Sequence, residues 1–337
     1  MDPESPAPFL PVPAKKVSWR VYTLGFLAIV FLVTVVVGVS SQAPASFVPN
    51  TIVHVSKNMS LSTVGNLLKK KNVIKSTFLF RIVTNISGGG SSVQAGDYLF
   101  KTPPLVWQVA SRLIQNDQGF TLVRVTIPEG TSVRGMGAIL NTAFNASSTF
   151  TFKTKSFLSL ASTSEGYLFP DTYLLLPNVT PSAVVSTMKN TFNQKIKTIA
   201  PLIAASHRST KDIVIMASIL EKEALVQADR QVIAGILWKR LDSGFLLQVD
   251  PPFAYAIGKT SDALTREDLQ VDSPYNTYKN KGLPPTPINN PGLESLTAAA
   301  TASTTPYWYY LSDKKGVMHY AVTYDQHLAN RTKYLGK

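Results

Sequence analysis

Cysteine is absent from all 337 residues of the chain. Its absence excludes disulfides, thiolate-ligated zinc, iron–sulfur clusters and a thiol nucleophile. Histidine is nearly as scarce. His54, His207, His319 and His327 are dispersed, with no pair at a helical metal-ligand spacing, so no metal site is expected. Charged residues are only 16% of the chain beside 45% hydrophobic ones, which argues against wholesale disorder. Acidic residues are the scarcer sign: 20 Asp and Glu face 33 Lys and Arg, a formal net charge of +13. The basic residues are scattered, the densest run being Lys69, Lys70 and Lys71 with Lys75 nearby. Without an Arg-rich stripe interleaved with aromatics, nucleic acid is not an expected partner. An anionic membrane surface or a carboxylate-bearing polymer fits better. Gly88-Gly89-Gly90 is not followed by Lys-Ser/Thr, and no Ser sits in a nucleophile elbow, so no nucleotide cofactor or serine nucleophile is expected.

Charge is also missing locally. Val21–Val39 holds no charged residue and is mostly Val, Leu, Ile and Phe; about twenty such residues cross the hydrocarbon core as a helix. Residues 1–20 are Pro-rich and polar and carry Lys15, Lys16 and Arg20, and no Lys or Arg follows the span until Lys57. This asymmetry predicts a 1–20 cytoplasmic tail, a 21–40 transmembrane helix and everything beyond on the outer face of the cytoplasmic (inner or plasma) membrane. The rival is a signal peptide cut near Ala43-Pro44-Ala45, but the apolar run exceeds the usual core of roughly 7–15 residues.

Beyond a 41–50 linker, periodicity predicts strand, helix, helix, strand: Thr51–Val55, a helix from the Ser60 N-cap to about Lys71, one from Ser76, and Tyr98–Lys101. Residues 87–92, Ser-Gly-Gly-Gly-Ser-Ser, read as a flexible loop. The chain is therefore expected to be α+β, with a small βααβ module over 51–120 and a mixed helix and strand domain over 121–337. Pro103-Pro104 is expected to start a helix to about Ile114; in the second domain we expect a strand at Thr121–Ile127 and helices at Thr131–Asn141 and Lys153–Leu160. A structured loop at Glu165–Tyr173 follows, then helices at Pro181–Ile199, Lys211–Gln227 and Asp229–Asp242. Residues 244–292 are irregular and rich in Pro, Asn and Tyr, as functional loops often are. Tyr307–Tyr310 opens a hairpin turning at Asp313–Gly316, and a helix runs to Tyr334.

One acid stands out. On a Lys211–Ala228 helical wheel, Glu221 falls within the apolar sector of Ile213, Ala217, Leu220 and Ala224, flanked by Val214, Leu225 and Ala228. Lys222 points to solvent and Glu223 lies at the far margin. Desolvation of such a carboxyl favours its protonated form, which suits a general acid. The alternative is a structural Glu221, paired with Arg230 or tied to a backbone group.

Met216-Ala217-Ser218-Ile219-Leu220-Glu221-Lys222-Glu223, Gly235–Leu241 and Leu247-Gln248-Val249-Asp250-Pro251 resemble, in order, the motifs of the YceG-like family of endolytic murein transglycosylases. So do Ser273–Tyr278, Gly282-Leu283-Pro284-Pro285, Glu165–Tyr173, Gln94–Tyr98 and Thr126-Ile127-Pro128-Glu129-Gly130. The resemblance spans about 50–335. It departs at the Gly-rich 87–92 loop, at Ala224, and at Pro252 and Phe253 after Asp250-Pro251.

The resemblance implies a bacterial-envelope enzyme with no cofactor. It would cut the β-1,4 bond between N-acetylmuramic acid and N-acetylglucosamine within nascent glycan strands, leave 1,6-anhydro-muramyl ends, and so terminate strand elongation. It makes 51–120 a LysM-like module and 121–337 the catalytic domain. Peptidoglycan strands and the membrane are the implied partners, with peptidoglycan synthases as candidates. Glu221 maps onto the family's catalytic Glu, acting as acid and then as base. Gln248, Asp250, Tyr275, Asn276 and Tyr278 are candidate sugar contacts, or scaffold for the loop. Glu165 and Asp171 are read as structural. Two other functions stay open: a non-catalytic wall-binding or scaffolding protein, and a hydrolase, which a second carboxylate about 5–9 Å from Glu221 would favour.

Overall fold

The computed structural model describes residues 19–89, 93–147 and 150–336. Most of the predicted 1–20 tail and residues 90–92 of the predicted loop lie outside these. The first element is helix α1, Trp19–Ser41, whose apolar side chains from Leu24 to Val39 are exposed. Its Thr23 and Thr34 hydroxyls donate to Arg20 O and Phe31 O, at 3.0 and 2.7 Å. Those bonds satisfy the two threonine hydroxyls of a helix otherwise suited to lipid.

The described chain is a mixed α+β structure that divides into two compact units, one ending at Phe120 and the other beginning at Thr121. In the first, β1 (Thr51–Val55) pairs antiparallel with β2 (Gly96–Phe100), Thr51 opposite Phe100. Helices α2 (Leu61–Lys70) and α3 (Thr77–Ile86) lie between them in sequence, and α4 (Val106–Gln115) follows. Ser60 and Ser76 cap α2 and α3, each accepting a backbone N–H at 3.2 Å, the bonds that orphan helix N-terminal donors need. Val53, Leu68, Phe80, Tyr98 and Leu113 form the core.

The second unit begins with β3 (Val123–Thr126), α5 (Val133–Ser147), α6 (Thr154–Ala161), β4 (Thr172–Leu175) and α7 (Pro181–Thr198). β3 and β4 pair antiparallel, Val125 opposite Tyr173. The end of the expected 165–173 loop is thus strand. Alternation explains it: Tyr173 and Leu175 are buried while Thr172 and Leu174 are exposed. A short helix α8 (Ala200–Ala205), not foreseen, leads to α9 (Thr210–Glu223) and α10 (Gln227–Asp242). Every residue from Ile213 to Leu220 is buried, so α9 is a core helix, not an amphipathic one.

Helix α9 ends earlier than expected, with Ala224 extended at φ −145 and ψ 146. Leu225 is 89% exposed, so neither it nor Ala228 flanks Glu221. The expected irregular stretch of 244–292 contains α11 (Asp250–Ile257), and α12 (Leu293–Ala300) follows it. Pro251 occupies the first turn of α11, where its missing N–H is harmless. Strands β5 (Tyr309–Ser312) and β6 (Met318–Ala321) form the expected hairpin, and α13 (Tyr324–Leu335) closes the unit. The core around α9 brings together Met216, Leu220, Ile233, Leu237 and Leu296.

Candidate active site

Three polar anchors draw distant segments to the end of α9. Ser218 O accepts from Asn289 Nδ2 at 2.7 Å, and Ser218 Oγ accepts from Ile288 N at 3.1 Å. Asn290, fully buried, donates to Thr131 O at 2.9 Å and to Glu165 Oε1 at 2.8 Å, and accepts from Leu168 N at 2.9 Å. A bridge between Thr131 and Asn290 completes the seam. Glu129-Gly130 and Gly292 thereby reach Glu221.

The Glu221 side chain is 6% exposed. Its Oε2 accepts from Gly292 N at 2.9 Å, and its Oε1 from Arg230 Nη2 at 3.3 Å. Arg230 is equally buried; it also donates to Ala224 O at 3.0 Å and to Glu294 Oε2 at 3.0 Å. The surroundings expected from the helical wheel were apolar. Two donors stand there instead, because the chain turns at Ala224 and α10 returns Arg230 to the end of α9. The alternative of pairing with Arg230 and a backbone group describes these contacts, and both fit a carboxylate acting in chemistry as well as one acting in structure.

Glu129 is the acid that sequence reasoning passed over, although it lay inside a quoted motif. Its carboxylate packs on Gly292: a Cβ added there would meet Glu129 Oε1 at 1.9 Å. Since Gly292 N also bonds Glu221, the two carboxyls lie within about 7 Å of one another. Burial first, and then the charge of Glu221, push the Glu129 carboxyl above its usual range. Gly130 has φ +71, and a Cβ on it would stand 3.1 Å from Glu221 Cγ. Only glycine combines that conformation with so close an approach.

The expected sugar contacts form a second network. Tyr278 donates to Asp250 Oδ1 at 2.6 Å, and Tyr310 to Glu223 Oε2 at 2.9 Å. Burial pushes Glu223 up to about 7. Asn276 is fully buried; its amide donates to Leu269 O and Val271 O and accepts from Tyr278 N. Tyr275 shares a 2.7 Å hydrogen bond with Thr286. Gln248 is exposed with φ 52, and its N–H donates to Thr277 O at 3.1 Å. Asp171 accepts from the following N–H at 2.7 Å. Glu165 accepts from Val133 N, Asn290 and Tyr255, and burial raises it to about 7.

A cleft of about 300 Å³ reaches Gly130 and Lys222 beside Glu221. Tyr255, Lys259, Ile288 and Asn289 also line it. Asn289 is 1% exposed, and its Oδ1 has no partner among the described residues, an uncommon state for a buried acceptor. Among the described residues, no three His, Asp or Glu side chains are grouped to hold a metal.

A model of the family described as "YceG-like family" matches residues 53–333. An endolytic murein transglycosylase of Bacillus subtilis is 30% identical over 305 residues, 84% of each chain. A Streptococcus pneumoniae protein of the same name is 29% identical over 177 residues, 51% of this chain and 32% of that one. A crystal structure of a YceG-like protein from Listeria monocytogenes superposes with a TM-score of 0.56 at 26% identity, covering 83% of this chain and 98% of that one.

Proposed function

Because the chain belongs to the YceG-like family, we propose that it is an endolytic murein transglycosylase, a lyase acting on peptidoglycan. The bond cut is the β-1,4 linkage between N-acetylmuramic acid and N-acetylglucosamine, within nascent strands. The observation that carries the assignment is a buried carboxyl, Glu221, fixed by Gly292 N–H and Arg230 next to Lys222 and Gly130, which line a cleft. Fixed orientation is what acid–base catalysis needs.

Glu221 donates its proton to the leaving oxygen as the C1–O bond breaks. It then takes the proton of the muramyl C6 hydroxyl as that oxygen bonds to C1. The product is a 1,6-anhydro end, and no water is consumed. One carboxyl suffices, because the same group is regenerated at the end of the cycle. The N-acetyl group stabilises positive charge at C1. Gln248, Asp250, Tyr275 and Tyr278 hold the sugars, and Asn276 shapes the loop that presents them.

The unit ending at Phe120 serves as a LysM-like module. Helix α1 anchors the chain in the cytoplasmic membrane, N-terminus inside. The catalytic unit then meets strands at the outer face as they emerge, beside the synthases that make them.

The test is mass spectrometry of peptidoglycan fragments released by the full chain and by its Glu221→Gln variant. Anhydro-muramyl ends from the parent alone support the proposal. Reducing ends would point to a hydrolase, which Glu129 favours as a second carboxyl within about 7 Å. No cleavage by either protein would sink the enzymatic assignment.

A further inference from the structure

Among the described residues, the cleft beside Glu221 is lined by two lysines, Lys222 and Lys259, and by no acid. The two cations are not equivalent. Lys259 Nζ donates to both oxygens of Asp268, at 2.8 and 2.6 Å. Lys222 is exposed and has no hydrogen bond or ion pair among the described residues. The carboxyls close to it are engaged elsewhere: Glu221 accepts from Arg230 and Gly292 N, Glu129 packs on Gly292, and Glu223 accepts from Tyr310. Yet Lys222 Nζ and Glu221 Cγ meet at Gly130, each 3.1 Å from where a Cβ on that glycine would stand. A free ammonium is thus held next to the proposed catalytic acid, on a wall without negative charge, a setting that concentrates anions. The same wall is short of a donor. Asn289 spends its amide on Ser218 O, and its buried Oδ1 has no partner among the described residues. Such an acceptor is uncommon unless a ligand or a water completes it.

We propose that Lys222 is a substrate-binding residue that pairs with a carboxylate on the lactyl substituent of the muramyl residue being cut. The inference rests on the murein lyase reading of this site. That carboxylate has two sources. Where a stem peptide is attached, the lactyl group is an amide and the charge sits on the peptide. Where the peptide has been removed, the lactyl carboxylate itself is free. Both sources place a carboxylate near amide N–H groups, the donor that Asn289 Oδ1 lacks. N-acetylglucosamine carries no charge. The pairing therefore tells a muramyl unit from a glucosaminyl one, and it sets which sugar is presented to Glu221.

The test is fragment release by the full chain in detergent, with kcat and KM measured separately for the parent, Lys222→Met and Lys222→Arg. The substrates are soluble uncrosslinked strands with their stem peptides and the same strands stripped by an amidase. Each is used in native form and with its carboxylates converted to carboxamides. In the parent, neutralising the carboxylate that Lys222 holds is expected to raise KM about fivefold, with kcat little changed. Lys222→Met raises KM on native strands by the same factor, and the two losses do not add. Added salt shrinks the difference, and Lys222→Arg keeps the parental KM. Non-additive losses confined to stem-bearing strands assign the carboxylate to the peptide; confined to stripped strands, they assign it to the lactyl group. Equal losses for Lys222→Met on native and neutralised strands, a loss in kcat alone, or no loss would each overturn the proposal. Binding of the same strands by Glu221→Gln, alone and combined with Lys222→Met, reads the coupling without turnover. A parent that cuts none of these strands, with that coupling intact, would sink the lyase assignment and leave the carboxylate site standing.

Discussion

A methyl group on Gly130 would meet Glu221 Cγ at 3.1 Å, on a backbone with φ +71. Left-handed backbone costs an L-residue about 1–2 kcal/mol, and the contact displaces the side chain proposed as the catalytic acid. Gly130→Ala is expected to lower the melting temperature by a few degrees and turnover by at least about tenfold; full turnover would show that Glu221 need not be held in this pose. Glu165 and Glu223 supply a second residue-scale prediction. Burial raises each from 4.5 to about 7. Between those values the folded chain binds protons that the unfolded chain has released. The stability that these two groups contribute is thus full below about pH 4.5 and is lost as pH rises through about 7. Thermal melts from pH 5 to pH 8 should fall, and Glu165→Gln should flatten part of that slope; an unchanged slope would mean that Glu165 does not titrate there. Glu221 was singled out in the sequence because its motif is long. Glu129, Gly130 and Gly292 were not. A backbone N–H leaves no trace in residue identity, and Glu129 acquires its neighbour only through the seam that Asn290 makes with Thr131.

At the scale of elements, the turn after α9 carries the site. Arg230 from α10 ties Ala224 O at the end of α9 to Glu294 on α12, with Glu221 between them. Breaking a buried ion pair by removing one partner costs about 3–5 kcal/mol, because the other charge is stranded. Arg230→Met should therefore lower stability by about 3 kcal/mol, read by chemical unfolding of the full chain in detergent. In a Glu221→Gln background the same change should cost clearly less; equal losses would show that Arg230 acts by packing and by its bond to Ala224 alone. Helices α9 and α10 were expected from the sequence, but their break at Ala224 was not. Leu225 and Val226 look like continued apolar face, yet they are exposed, at 89% and 59%. Helix α11 was hidden by Pro251 and Pro252, which read as loop although a first helical turn accepts proline. Helix α12 was hidden by its composition: Leu293–Ala300 is short and Ala-rich, without the polar face that marks a surface helix.

For the whole molecule, an exposed apolar helix and the cleft proposed as the active site have to be reconciled in one chain. Helix α1 is long enough to span a bilayer, with mean hydropathy 2.5 over its best window, and its exposed Val, Leu, Ile and Phe side chains find no cover from the rest of the described chain. Its C-terminal end is held to the first unit: Lys75 Nζ donates to Val39 O at 3.0 Å, and Gln42 bridges Leu105. With α1 in a bilayer, as proposed, the small unit would sit close to the membrane surface, where its cluster of Lys69, Lys70, Lys71 and Lys75 suits anionic headgroups. Orientation can be read directly, because the chain has no cysteine of its own. A single thiol introduced by Ser46→Cys, beyond the helix, should react with a membrane-impermeant maleimide in intact cells or spheroplasts. One introduced by Ser5→Cys should react only after the membrane is opened. The basic residues before the span and their absence just after it set that expectation. The reverse labelling pattern would put the cleft on the cytoplasmic side, away from any glycan strand, and would overturn the wall-facing role even if the purified protein cleaved peptidoglycan.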